Sequence, residues 1–123
     1  YHVGLAWNES LHVDPRKEAK KLMDEFTDAL YHVGPLSIAI DATLHDFYFY
    51  SAGLYDDTNC LSGVDDLDHI VLAVGYGTSK NGERYTIVRN SWSNHWGEEG
   101  YIRMSQASNV CGVATTPTYV KLK

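Results

Sequence analysis

The chain has little cysteine, no basic run and no long apolar stretch, and each shortage removes a class of function. Its two cysteines, Cys60 and Cys111, are too few and too far apart for a zinc site built on C-x-x-C spacing, and a cytosolic redox pair is equally unsupported. No segment is long or apolar enough to cross a bilayer, and none reads as a signal sequence. A formal net charge of −6, with no cluster of Lys or Arg, argues against nucleic acid or an anionic membrane as a partner. There is no initiating methionine, and a start at Tyr1 is expected of a chain cut from a longer precursor or of a trimmed fragment. Repeats, low-complexity segments and linkers are absent too.

What is present suits one domain. In 123 residues, 44% are hydrophobic and 12% aromatic, enough to bury a single core. Over residues 14–33, Ala19, Leu22, Met23, Phe26, Leu30 and Val33 recur at helical spacing, with Asp14 as a cap and Pro15 in the first turn. Gly34-Pro35 ends that helix. Residues 36–40 alternate like a strand, 45–50 form a short aromatic turn of helix, and 53–67 read as a loop.

Residues 71–76 and 84–88 read as two strands, with Asn81-Gly82 as the hairpin-turn signal between them. Residues 100–104 and 118–122 supply further strands. The expected fold is α+β: an antiparallel, barrel-like sheet with a helix packed on it.

The chemistry is concentrated in two segments. One reads Asp68-His69-Ile70-Val71-Leu72-Ala73, the other Asn90-Ser91-Trp92-Ser93-Asn94-His95-Trp96-Gly97-Glu98-Glu99-Gly100-Tyr101. An imidazole that must hold one tautomer needs an acceptor for the hydrogen bond of its far nitrogen, and an asparagine oxygen is one of the few that serve. His69 and Asn90 are that pair. His2, His12, His32 and His45 stand in polar or helical contexts with no orienting partner in view, and read as surface or core residues. A tight turn about Asn81-Gly82 would set Asn90 against Ala73, whereas pairing Asn90 with His69 centres the connection on Ser79 and Lys80. A wider or bulged connection, or a loop that folds Asn90 back, is therefore expected.

These segments, with Val33-Gly34-Pro35-Leu36-Ser37-Ile38-Ala39-Ile40-Asp41-Ala42 and Cys111-Gly112-Val113-Ala114, resemble the C-terminal half of the papain family of cysteine proteinases, in its cathepsin L-like branch. The resemblance implies the papain-like right-hand domain over residues 1–123. It places the catalytic cysteine in a helical N-terminal half outside this chain. It implies a cysteine-type endopeptidase with His69 as base, Asn90 as its orienter, Trp92 as the cover over their hydrogen bond and Trp96 beside it. It also implies a Cys60–Cys111 disulfide and an apolar pocket at Ala39, Leu67, Asp68, Ile70 and Thr116 for the substrate side chain two positions before the scissile bond.

Two departures stand out against that pattern. Ile70 occupies a position usually held by a small residue and should make the pocket shallower, and Ser93 stands where a glycine usually follows the tryptophan. The implied partners are the N-terminal chain of the same precursor, a peptide or protein substrate and protein inhibitors. No cofactor or metal is expected. A lysosomal, vacuolar or secreted location follows from the resemblance, and Asn8-Glu9-Ser10 is then a candidate glycosylation acceptor at Asn8. The alternatives are a catalytically inactive homologue whose groove binds peptides, or a free-standing structural module. A cysteine at a helix start, preceded by a glutamine, in the upstream sequence would separate them.

Overall fold

The computed structural model describes residues 15–57 and 59–119. Asp14, the glycosylation triplet, His2 and His12 lie outside the described residues. Helix α1 (Pro15–Val33) buries Leu22, Met23, Phe26 and Leu30, spaced by about one turn along a single face. It stops at Gly34, which adopts φ 105° and donates its N–H to Leu30 O at 3.1 Å. A side chain at that φ would be strained, and Pro35 cannot continue the helix.

Strand β1 (Leu36–Ile40) follows, then the short helix α2 (His45–Tyr48) and the two-residue strand β2 (Leu54–Tyr55). Strands β3 (His69–Thr78), β4 (Arg84–Arg89) and β5 (Tyr101–Ser105) complete a five-stranded sheet in the order β1-β3-β4-β5-β2. The sheet is antiparallel except where β2 runs parallel to β5. It is α+β, as expected, and open: β1 and β2 form its edges. The segment expected as a loop over 53–67 thus contributes β2 and a 3₁₀ turn at Val64–Asp66. Of the expected last strand, Thr118 exchanges both backbone hydrogen bonds with Ser37 at 2.8 Å, and residues 120–122 lie outside the described residues.

The core lies between α1 and one face of the sheet, where Ile38, Val71, Ala73, Val88, Ile102 and Met104 alternate with outward residues. Two fastenings hold the loops beyond it. Cys60 and Cys111, 51 residues apart, are joined with 4.8 Å between their Cα atoms. Beside them, buried Asp41 accepts from Thr43 N–H (3.1 Å), Thr43 Oγ1–H (2.7 Å) and Leu61 N–H (2.9 Å). No helix of the described residues is long and apolar enough to cross a membrane.

Candidate active site

His69 opens β3 opposite Ile40 and ends the core-facing row His69, Val71, Ala73. Its Nε2 lies 2.8 Å from Asn90 Oδ1. That oxygen also accepts the Ser91 N–H at 2.8 Å, which an amide NH₂ could not do, so the Asn90 orientation is determined. Nε2 must therefore carry a proton and donate it, leaving Nδ1 as the ring nitrogen for a partner. Asn90 is 3% exposed and its Nδ2 has no partner, the one buried side-chain polar atom so placed among the described residues. Packing alone would favour an apolar residue there; a buried amide with an orphan donor is tolerated for what its oxygen does.

The register explains how the two meet. Leu72 pairs with Arg89 and Ala73 with Val88, and the same register carried forward sets Asn90 across from Val71. The amide reaches His69 diagonally on the shared face, as neighbours two residues off register do. Neither simple count gives this, because two devices act together. The connection over residues 79–83 is wider than a two-residue turn, closed by Ser79 N–H to Glu83 O at 2.8 Å, and Val74 is an extra residue between the Ala73 and Gly75 pairs.

Trp92 packs against His69, its ring 5.2 Å away and tilted at 33°. Around it stand Tyr48, stacked at 5.1 Å and 15°, with Phe47 and Trp96 edge-on at 5.5 and 5.4 Å. Trp96 packs behind this layer, against Phe47 at 5.1 Å, and its Nε1–H donates to Phe47 O at 3.0 Å. Phe47, Tyr48 and Tyr50 are site residues that the sequence reading missed. The signal was four consecutive aromatics over residues 47–50, read only as a turn of helix.

The loop carrying Asn90 and both indoles is tied to its surroundings by Tyr50 and Glu98. Tyr50 O accepts the Gly97 N–H at 3.2 Å, while Tyr50 Oη–H lies 2.5 Å from Gly53 O and 3.1 Å from Glu98 Oε1. Arg103 meets Glu98 with both branches, Nε to Oε1 and Nη2 to Oε2 at 2.9 Å each. Arg103 holds the Glu98 carboxyl below its ordinary range, with Tyr50 assisting, and burial pushes the Tyr50 phenol up to about 12. Gly97 and Gly100 take φ 61° and 93°, as tight turns require. Ser93 is not at positive φ; its Oγ accepts the His95 N–H at 3.0 Å.

Of the other expected residues, Ala39, Ile70 and Thr116 share a row of the sheet, while Leu67 and Asp68 have different neighbours. Ala39 pairs with Ile70, which is 63% exposed, and carrying the Ser37–Thr118 register forward sets Thr116 across from Ala39. Leu67 packs so near Gly112 that a Cβ there would sit 2.5 Å from its Cδ2. Asp68 turns back to β1, its Oδ1 accepting the Ala42 N–H at 2.9 Å. Among the described residues no group of His, Cys, Asp and Glu is placed to hold a metal ion.

Fold and site together define an α+β domain in which one imidazole is hydrogen-bonded to a buried amide and packed against an indole. The chain belongs to the papain family of cysteine proteases, whose profile matches residues 7–121. It is 54% identical over 92 residues to a cathepsin L-like peptidase of Aedes aegypti, covering 74% of this chain and 26% of that protein. With digestive cysteine proteinase 3 of Homarus americanus it shares 46% over 118 residues, 95% of this chain and 34% of the other. Among solved structures, the digestive procathepsin L 3 of Tenebrio molitor larval midgut superposes with a TM-score of 0.69 at 44% identity, over 78% of this chain and 31% of that one. The bromelain protease of Ananas comosus gives 0.70 at 36% identity, over 81% of this chain and 46% of the other. The chain spans about a third or less of the length of the curated relatives it matches.

Proposed function

We propose that this chain is the C-terminal, base-bearing half of a cysteine endopeptidase, completed by a helical N-terminal half that carries the nucleophilic cysteine. The observation that carries the reading is the 2.8 Å Nε2···Oδ1 contact beside Trp92. It orients Nδ1 and shields the bond from competing water.

A thiol beside an imidazolium and a helix start ionises at about 3.5 to 7.5 rather than its free value. Its thiolate attacks the peptide carbonyl carbon and a tetrahedral oxyanion forms. As the C–N bond breaks, His69 gives the Nδ1 proton to the leaving amine, leaving a thioester. His69 then takes a proton from water, whose oxygen attacks the thioester and releases the acid and the thiolate. Asn90 holds the ring in line throughout, adding no net charge that would over-stabilise the imidazolium. Trp96 borders the leaving-group side.

The row Thr116, Ala39, Ile70, with Leu67 and Asp68 at its edge, is the wall for the substrate side chain two positions before the scissile bond. Ile70 narrows it, so Val or Leu is preferred there over Phe, and Arg is disfavoured for want of a counter-charge at its far end. Ile70→Gly should shift the preference towards Phe by up to roughly a hundredfold in relative rate. A lysosomal, vacuolar or secreted protease fits the disulfide, which persists in oxidising compartments. Protein inhibitors would occupy the same cleft, and Asn8 would carry glycan.

The test uses the full-length protein. The companion half is expected to take up a thiol-directed inhibitor, and His69→Ala to lose peptide hydrolysis. Hydrolysis retained in that variant, or shown by the 123-residue chain alone, would overturn the reading.

A further inference from the structure

We infer that Glu98 is a positioning residue for the reaction, acting with Tyr50 and Arg103 as a clamp that sets where Asn90 and Trp92 stand against His69. The inference rests on the peptidase reading above and goes beyond it, to a group that touches no substrate.

Besides the His69 contact and the two Arg103 bonds to Glu98, three contacts tether the indole-bearing loop to its surroundings, and two of them converge on Tyr50. They are Trp96 Nε1–H to Phe47 O, Gly97 N–H to Tyr50 O, and the 3.1 Å approach of Tyr50 Oη to Glu98 Oε1, its one hydroxyl proton being shared with Gly53 O at 2.5 Å. Within the loop two hydrogen bonds continue the connection: Gly100 N–H to Trp96 O at 2.7 Å and Asn90 N–H to Gly100 O at 3.0 Å. The pair Glu98 N–H to Tyr101 O and Tyr101 N–H to Glu98 O, at 2.9 and 3.1 Å, fixes Glu98 in this chain of contacts.

Displacing Glu98 therefore moves Gly97 and Gly100 on either side of it, and Gly100 holds the Asn90 backbone. The packing leaves no slack at this point. A Cβ on Gly97 would lie 2.6 Å from Tyr101 O and 3.0 Å from Tyr50 Cδ1.

The bidentate geometry is what makes the charge matter. Two parallel N–H···O bonds from Arg103 fix the carboxylate in plane as well as in position, and the guanidinium lies over Tyr85 at 5.5 Å, which limits its own freedom. A neutral amide at position 98 keeps the size but turns one of its two groups into a donor, facing donors. The loop should then relax away from Tyr50, and the Asn90 oxygen with it.

The experiment compares wild type, Glu98→Gln and Glu98→Asp as full-length protein. Glu98→Gln is expected to lower kcat about three- to tenfold, the equivalent of one net hydrogen bond, with KM within about twofold. In the same variant the His69 Nε2–H, read by NMR, is expected to exchange with water faster by a similar factor. Glu98→Asp, which keeps the charge, should recover part of both.

Unchanged kcat and unchanged Nε2–H exchange in Glu98→Gln, whatever its melting temperature, overturn the inference. Should that variant fail to fold, Tyr50→Phe deletes a single oxygen and decides on the same two readings. A wild type that hydrolyses no peptide and takes no thiol reagent would sink the peptidase reading, and the Nε2–H exchange would still decide the clamp.

Discussion

Two loops flank His69, and they are held by opposite means. The 56–67 loop is pinned by a covalent bond, with Asp41 accepting from Leu61 beside it. The 90–100 loop has no covalent link and depends on Tyr50, a carboxylate and a guanidinium. The first sets Leu67 against Gly112 and leads into His69; the second carries the groups that touch the imidazole. Covalent fastening suits a wall that must only be present. Hydrogen bonds and charge suit a support whose angle must be right.

The most disruptive way to test this contrast is to cut the covalent side. Cys60→Ser with Cys111→Ser should lower stability by about 2 to 4 kcal/mol, measured by denaturant unfolding, while the folded fraction keeps its kcat. A loss of kcat larger than the loss of stability would show that the bridge also sets the imidazole.

Asn90→Ala should behave in the reverse sense. A hydrogen bond to a group that becomes charged is worth about 1.5 to 3 kcal/mol, so kcat should fall by roughly ten- to a hundredfold. Stability should drop less than in the double serine variant, since an orphan Nδ2 leaves with the amide. Equal damage to stability and turnover would erase the distinction between the loops. Trp92→Ala, read by the same assay, should fall between wild type and Asn90→Ala, through wetter surroundings for a bond that still forms.

The smallest effect is a pH dependence on the non-covalent side. The Glu98 carboxyl titrates below its ordinary range when folded, chiefly through Arg103. Its contribution is therefore present above the unfolded value, about 4.3, and is lost as pH falls through the lower folded value. Melting temperature followed from pH 6 downwards should decline less steeply in Glu98→Gln than in wild type. Since Glu98 and Arg103 are each about one-third exposed, the difference should be modest. Identical slopes would mean that the pair is not what acid removes.

Local patterns carried much of this architecture. The spacing of Leu22, Met23, Phe26 and Leu30 announces α1, alternation announces β1, and an apolar run bounded by a turn signal announces β3. His69 and Asn90 are legible because their neighbours in sequence are distinctive. What stayed hidden depends on meetings between distant segments. Strand β2 is two residues long and has no period to read, and it pairs with a strand nearly fifty residues later. The role of Tyr50 rests on a hydroxyl reaching Glu98, 48 positions away. Nothing in either local stretch signals the other. The diagonal approach of Asn90 was half legible: counting showed that a plain hairpin would not serve, and left open how the misfit is absorbed.

The extra residue at Val74 has a practical side. By breaking the register once, it works as an expansion joint: the strand segment from His69 to Ala73 is held by β1, with Leu72 and Ala73 also paired to β4, and the stretch from Gly75 onwards is held by β4 alone. A change of length at the far end, around the exposed Lys80 and Asn81, should be taken up there and not travel to the imidazole. That tip is the place to graft an epitope or a fluorophore-binding tag on this molecule without retuning its chemistry.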